Sequence, residues 1–181
     1  MKEGYKLLAL CFLAGAISGA VASIAINHFT PKSSEQMIAE FYATETAVGV
    51  SPADYAADLN SGILDGTAVD LRSAAEYNAG HLVTAVNIPA VSMDRAQVLA
   101  AFAALPKDKP IITYCYSGYC MLSRQVGNVL AENGMYVKHF TAGWYEINRD
   151  YPEYVVNGTQ PGSWKNATYV TGVCTTGEFR C

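Results

Sequence analysis

The sequence predicts an α/β fold: a mostly parallel central sheet flanked by helices on both faces, preceded by an N-terminal transmembrane helix or signal sequence. Three observations carry that prediction. Short apolar runs alternate with helical segments that open on Ser or Asp and close near Gly, as in a parallel sheet covered by its crossover helices. One of those runs, Ile111-Ile112-Thr113-Tyr114, ends at Cys115 and a tight loop that leads straight into a helix. Ahead of them all, Leu7 to Ile26 carries no charged residue.

As a helix, that uncharged segment rises about 30 Å, the thickness of a bilayer's hydrocarbon core. Lys2, Lys6 and the terminal amine precede it, and only His28, Lys32 and Glu35 follow closely. The positive-inside rule then keeps the N-terminus in the cytoplasm and places the remainder outside. A cleaved signal is the rival reading, since Ala20-Val21-Ala22 fits the small-x-small cleavage pattern. The apolar run continues past that site to Ile26, which favours an anchor. Gly15 and Gly19 give a GxxxG spacing through which two such helices can pair as a homodimer. Leu10 is too bulky for the position before a lipidated cysteine, so Cys11 reads as an apolar residue of the segment.

Beyond the linker Pro31 to Ser34, a short helix is expected over Glu35 to Thr44, with Met37, Ile38, Phe41 and Tyr42 on one face. Ala47 to Val50 is a strand candidate. Ser51 caps a helix with Pro52 at its first position, and Asn60-Ser61-Gly62 ends it. Ala68 to Leu71 reads as a buried strand. Ser73 caps a short helix through Asn78 that Gly80 closes. Val86 to Ile88 is another strand. Asp94 caps a helix through Ala104 whose apolar stripe is Val98, Leu99, Phe102 and Leu105. After the strand Ile111 to Tyr114 and the loop CYSGYC, a helix runs to Glu132 with Leu122, Val126, Val129 and Leu130 inward, stopped by Asn133-Gly134. Tyr136 to Phe140 is the next strand, and Ala142-Gly143 turns into a helix around Trp144 to Asn148. The resulting organisation is residues 1–30 as anchor or signal, 31–46 as linker and short helix, 47–162 as the α/β domain, and 163–181 as a tail.

Of 181 residues, 51% are hydrophobic and 15% charged, with a net charge of −4 and no basic run. That composition excludes a disordered chain and argues against nucleic acid as a partner. Cys174 and Cys181 flank a short polar loop containing Gly177, and a disulfide between them is the simple reading in an oxidising compartment. No His or further Cys lies near them, so no metal site is expected, and no cofactor motif is present. Asn157-Gly158-Thr159 and Asn166-Ala167-Thr168 match glycosylation sequons, a pattern short enough to arise by chance.

Chemistry centres on Cys115. It stands beyond the C-terminal end of a buried strand, where ligands bind on such sheets. Loop amides and the unpaired first-turn N–H groups of the next helix are expected to surround its sulfur, lower its pKa and cradle an anion. Gly118 is expected to supply backbone angles that other residues resist. A buried, inert cysteine is the alternative, because cysteine is among the most buried residue types.

The stretch Ala68 to Ala90 contains Asp70, Leu71, Arg72, Glu76, Tyr77, Gly80, His81, Leu82, Ala85, Asn87, Ile88 and Pro89. In that order and spacing it resembles the signature of the rhodanese family, D-[VL]-R-x3-E-[YF] followed by G-H-[IL]-x-x-A-x-N-[IL]-P. The active-site segment ITYCYSGYC, the AGW of Ala142 to Trp144 and the TQPG after Asn157 fall where that family has them. The resemblance covers roughly residues 48–162. It implies a rhodanese-like, sulfurtransferase-type domain: Cys115 attacks a sulfane sulfur, carries it as a persulfide in the loop of Tyr116, Ser117, Gly118, Tyr119 and Cys120, and passes it to a thiol acceptor. It also implies structural roles for Asp70, Arg72 and His81. Members with a six-residue loop often carry a basic residue at its last position, where this chain has Cys120; Arg124 lies one helical turn on. That departure puts thiosulfate as donor in doubt. It also raises Cys120 as a resolving thiol that attacks a Cys115 persulfide, releasing sulfide and leaving a disulfide. Phosphatase chemistry would need arginine at position 121, which is Met121. A non-catalytic binding module and a thiol–disulfide protein are the remaining alternatives.

Overall fold

A computed structural model describes residues 2–29 and 31–164. The chain divides into two units, residues 1–44 and 45–181. In the first, helix α1 spans Lys2–Phe29, and its Gly4–Ser23 stretch is long and apolar enough to cross a membrane, a test that a signal sequence also passes. Helix α2, Ser34–Val48, is longer than the sequence suggests and extends past the boundary between the units. It opens on a reciprocal pair in which the Ser33 amide donates to Gln36 Oε1 (2.9 Å) and the Gln36 amide to Ser33 Oγ (3.3 Å). Met37, Ile38, Phe41 and Tyr42 are all exposed, so the apolar face expected of this helix is not buried.

The second unit is an α/β domain of short elements. In chain order these are β1 (Gly49–Val50), α3 (Pro52–Ser61), β2 (Thr67–Asp70), α4 (Ala74–Ala79), β3 (His81–Leu82), β4 (Val86–Asn87), α5 (Arg95–Ala103), β5 (Ile111–Tyr114), α6 (Leu122–Ala131), β6 (Val137–Phe140), α7 (Trp144–Asp150) and β7 (Val155–Val156). Five strands form a parallel sheet in the order β1-β6-β5-β2-β4, which puts β5 at its centre. Strands β3 and β7 pair separately and antiparallel, Leu82 opposite Val155.

Local chemistry explains where the helices start. Ser51 with Asp54, Ser73 with Glu76 and Asp94 with Gln97 each form a capping box, side chain to backbone in both directions. Gly62 ends α3 in the left-handed conformation, at φ 68°. Gly80 ends α4 differently: its φ of 168° is ordinary extended backbone. What requires glycine there is space, because a Cβ would stand 2.8 Å from the Trp144 ring.

Side chains that alternate along the central strands divide the core in two. Ala68, Ile112, Tyr114 and Phe140 pack against Tyr55, Ala56 and Leu59 of α3 and Ile147 of α7. Val69, Leu71, Ile111 and Cys115 pack against Val98 and Phe102 of α5 and Val126 and Leu130 of α6. Helices thus cover both faces, and the period of two continues past β5 to put Cys115 on the α5–α6 side.

Candidate functional site

Cys115 follows the central strand and is 1% exposed. Its carbonyl accepts from the Trp144 amide (2.8 Å), and the Tyr116 carbonyl accepts from the Tyr145 amide (2.9 Å). The start of α7 therefore fixes the start of the loop. The sulfur faces the Cys120 carbonyl oxygen at 3.7 Å and Ser123 Oγ at 3.9 Å. Ser123 is buried in the first turn of α6, and nothing in the sequence reading singled it out.

A turn closes the loop, with the Cys120 amide donating to the Ser117 carbonyl (3.0 Å). Two carboxylates and one guanidinium hold it from outside. Glu146 accepts from the Gly118 amide (3.3 Å) and the Gly143 amide (2.9 Å). Glu76 accepts the Tyr116 hydroxyl (2.9 Å). Exposed Arg124 donates from Nη1 to the carbonyls of Gly118 (3.2 Å) and Cys120 (3.4 Å). Tyr119 is 93% exposed.

Two expectations about this loop need correction. Gly118 does not adopt a positive φ; a side chain is excluded because a Cβ would lie 2.8 Å from the Thr141 carbonyl oxygen. Gly143 is tighter still, with Ser117 backbone atoms 2.3–2.6 Å from an added Cβ. The second correction concerns the cradle. Burial pushes the Cys115 thiol up, and its contact with Cys120 adds to this, against weaker opposing help from the amide and hydroxyl of Ser123. For Cys120, burial also acts upward, but it is outweighed by the hydrogen bond from the Cys115 thiol and by the amides of Leu122, Tyr116 and Ser117, so the Cys120 thiol moves down. The loop and first-turn amides thus favour the second cysteine, while the Gly118 amide is taken by Glu146.

Asp70 and Arg72 form a buried bidentate pair, with Arg72 Nε 3.1 Å from Asp70 Oδ1 and Nη2 2.6 Å from Oδ2. Arg72 Nη2 also donates to the Gly80 carbonyl (2.7 Å), and its guanidinium lies 4.2 Å above the centre of the Trp144 ring. The pair therefore joins the end of β2 to the end of α4 and the start of α7. His81 is fully buried, stacked on Tyr77, with Nδ1 2.8 Å from the Tyr77 carbonyl oxygen and Nε2 3.0 Å from that of Gln160. The hydrogen bonds of His81 and of the Asp70–Arg72 pair go to backbone carbonyls and to each other, not to the loop sulfurs. Cys174, Cys181 and the Asn166 sequon lie outside the described residues. Among the described residues no group of three His, Cys, Asp or Glu side chains could hold a metal ion. A cleft of about 390 Å³, lined by Phe102, Leu105, Met135 and Tyr136, opens at the opposite end of β5, away from this chemistry.

Over residues 51–150 the chain matches the rhodanese-like domain family. The chain belongs to the rhodanese-like family. The matched residues run from the cap of α3 to the end of α7, so this rhodanese-like domain includes the Cys115 loop and everything that braces it. A crystal structure of the BH2092 protein from Bacillus halodurans is similar, with a TM-score of 0.56 and 26% identity over 74% of this chain and 93% of that one. A full-length protein from Lactobacillus plantarum shares the fold, with a TM-score of 0.55 and 14% identity over 68% of this chain and 98% of that one. The chain is also 34% identical over 80 residues, 44% of its length, to HTH-type transcriptional regulator Rv0324 of Mycobacterium tuberculosis. It spans about a third of that regulator's length.

Proposed function

We propose that this rhodanese-like domain is a sulfurtransferase that holds sulfane sulfur as a persulfide on Cys115, outside the cytoplasm. The single observation that supports it most is the place of Cys115: beyond the central strand of a parallel sheet, in a loop braced by α7, Glu76, Glu146 and Arg124. A side chain held that rigidly is positioned for chemistry rather than for packing alone. The partners are a small sulfane-sulfur donor and a thiol acceptor, and no cofactor is needed. The loop's neighbours also speak to the donor. Arg72 is committed to Asp70 and Arg124 to loop carbonyls, while Glu76 and Glu146 hold loop groups, so thiosulfate is a poorer fit than an organic persulfide. The test is to incubate the full chain in detergent with thiosulfate or cysteine persulfide, alkylate, and map the added sulfur by peptide mass. A persulfide on Cys115 is expected; no added sulfur from any donor class overturns the reading.

A thiol–disulfide protein using Cys115 and Cys120 is the second reading, favoured by their places in one loop, with the Cys115 sulfur 3.7 Å from the Cys120 carbonyl oxygen. It is distinguished by a stable Cys115–Cys120 disulfide and no persulfide under the same conditions.

For location, we take α1 as an anchor through residues 7–26, with Lys2 and Lys6 on the cytoplasmic side. Protease added outside intact cells, or spheroplasts where an outer layer bars access, is expected to digest the domain while the chain stays in the membrane fraction. Protection until lysis overturns the orientation, and a mature N-terminus at Ser23 overturns the anchor in favour of a cleaved signal. Pairing of two anchors through Gly15 and Gly19 belongs to the same proposal.

A further inference from the structure

We infer that sulfur enters through Cys120, a second catalytic thiol, and is then passed inward to Cys115, where it is stored. The inference rests on the sulfurtransferase reading and divides its chemistry between two sulfurs. Four observations carry it. Cys115 is 1% exposed, whereas Cys120 is half-buried. Both pack in the same apolar cluster on the α5–α6 side of the sheet. The turn that joins the Cys120 amide to the Ser117 carbonyl closes the end of the loop, and the Cys120 carbonyl lies 3.7 Å from the Cys115 sulfur. The Cys115 sulfur is directed inward, towards the Cys120 carbonyl and Ser123 Oγ. A donor approaching from solvent therefore meets Cys120 before it can reach Cys115. The electrostatics agree, because the Cys120 thiol is held down by amides and by the Cys115 thiol, while burial holds the Cys115 thiol up.

The chemistry needs no outside oxidant. The Cys120 thiolate attacks the terminal sulfur of an organic persulfide, R–S–S–H. A Cys120 S–S bond forms, the donor's own S–S bond breaks, and RS⁻ leaves. The Cys115 thiol then attacks the terminal sulfur of the Cys120 persulfide. The bond to Cys120 breaks, the Cys115 proton passes to the departing Cys120 sulfur, and the sulfane sulfur is left on Cys115. Each step is a sulfur exchange with no net oxidation. Ser123 Oγ, facing Cys115, is placed to hydrogen-bond the stored sulfur. Burial then shields that sulfur from bulk thiols, and delivery to an acceptor retraces the path through Cys120.

Full chain in detergent, treated with limiting cysteine persulfide, quenched with an alkylating reagent at successive times and mapped by peptide mass, tests the relay. In the wild type, added sulfur is expected first on Cys120 and then on Cys115. In Cys115→Ser the sulfur is expected to stop on Cys120. In Cys120→Ser the loading of Cys115 is expected to slow at least tenfold. Circular dichroism and unfolding midpoints of both variants check that the fold is kept. Loading of Cys115 in Cys120→Ser at the wild-type rate overturns the inference and leaves the sulfurtransferase reading standing. Failure of Cys115→Ser to take sulfur, while wild type loads, does the same. Sulfide release from the wild type without added thiol, with a Cys115–Cys120 disulfide, shows attack on the inner sulfur and overturns storage. If the wild type takes up no sulfur from any donor, the sulfurtransferase reading itself falls.

Discussion

Cys115 and Cys120 differ in their surroundings more than in their chemistry. Five residues separate them, yet one sits under the sheet-side core and the other under a ring of amides. Because the thiolate is the nucleophile, the depressed Cys120 thiol keeps its reactive form at lower pH than an ordinary cysteine, and the raised Cys115 thiol loses it. With Cys115 1% exposed and Cys120 half-buried, iodoacetamide near neutral pH is expected to alkylate Cys120 at least tenfold faster than Cys115, read by peptide mass. The ratio should narrow as pH rises through the range of ordinary thiols. The buried Asp70–Arg72 pair gives a second expectation at this scale. Asp70→Asn leaves a guanidinium buried without its counter-charge, which costs about 3–5 kcal/mol, measurable as a lower denaturant midpoint. The place of Cys115 was legible in the sequence, because the end of a strand follows from local pattern. The difference in thiol acidity was not legible: it depends on how deeply the fold buries Cys115 and on the amides of Leu122, Tyr116 and Ser117 beside Cys120.

At the scale of elements, the helix starts were readable, as were the two-residue strands β1 and β4, whereas β3 and β7 were not. Ser51, Ser73 and Asp94 cap their helices with partners three residues on, so the signal is local. Strands β3 and β7 have two residues each and pair across most of the domain. A segment that short shows no period, and its pairing is decided by tertiary packing around His81. The contact between the Cys115 loop and the turn before α7 was equally hidden, although Gly143 stood in a recognisable motif. That contact yields a prediction. Gly143→Ala places a Cβ against the Ser117 backbone, so the loop must move by a sizeable fraction of an ångström or more. Misplacement on that order costs roughly 10²-fold in rate. Sulfur loading in Gly143→Ala should fall by about that factor while the far-ultraviolet circular dichroism stays native.

For the whole molecule, the core contains more hydroxyls than its apolar composition suggests. Tyr55 and Tyr77 are pushed up to about 12, mainly by burial, and Tyr114 is raised well above its ordinary value for the same first reason. A group whose folded pKa is raised contributes stability that is complete below its unfolded value, near 10 for tyrosine, and is lost as pH rises through the folded value. Urea midpoints of the full chain should therefore stay level to about pH 9.5 and fall between about 10 and 12. Tyr55→Phe should make that fall shallower.

The sheet order also bears on how the chain is made. Strand β1 pairs with β6, Gly49 opposite His139, so the first strand to leave the ribosome waits for the last strand of its sheet. Closing a loop that long is slow to begin and cannot be completed piecemeal. During synthesis, and during any passage across a membrane, residues 49–50 must remain unpaired until residue 140 has followed. The domain should then gain its protease resistance in one late step after threading, rather than strand by strand.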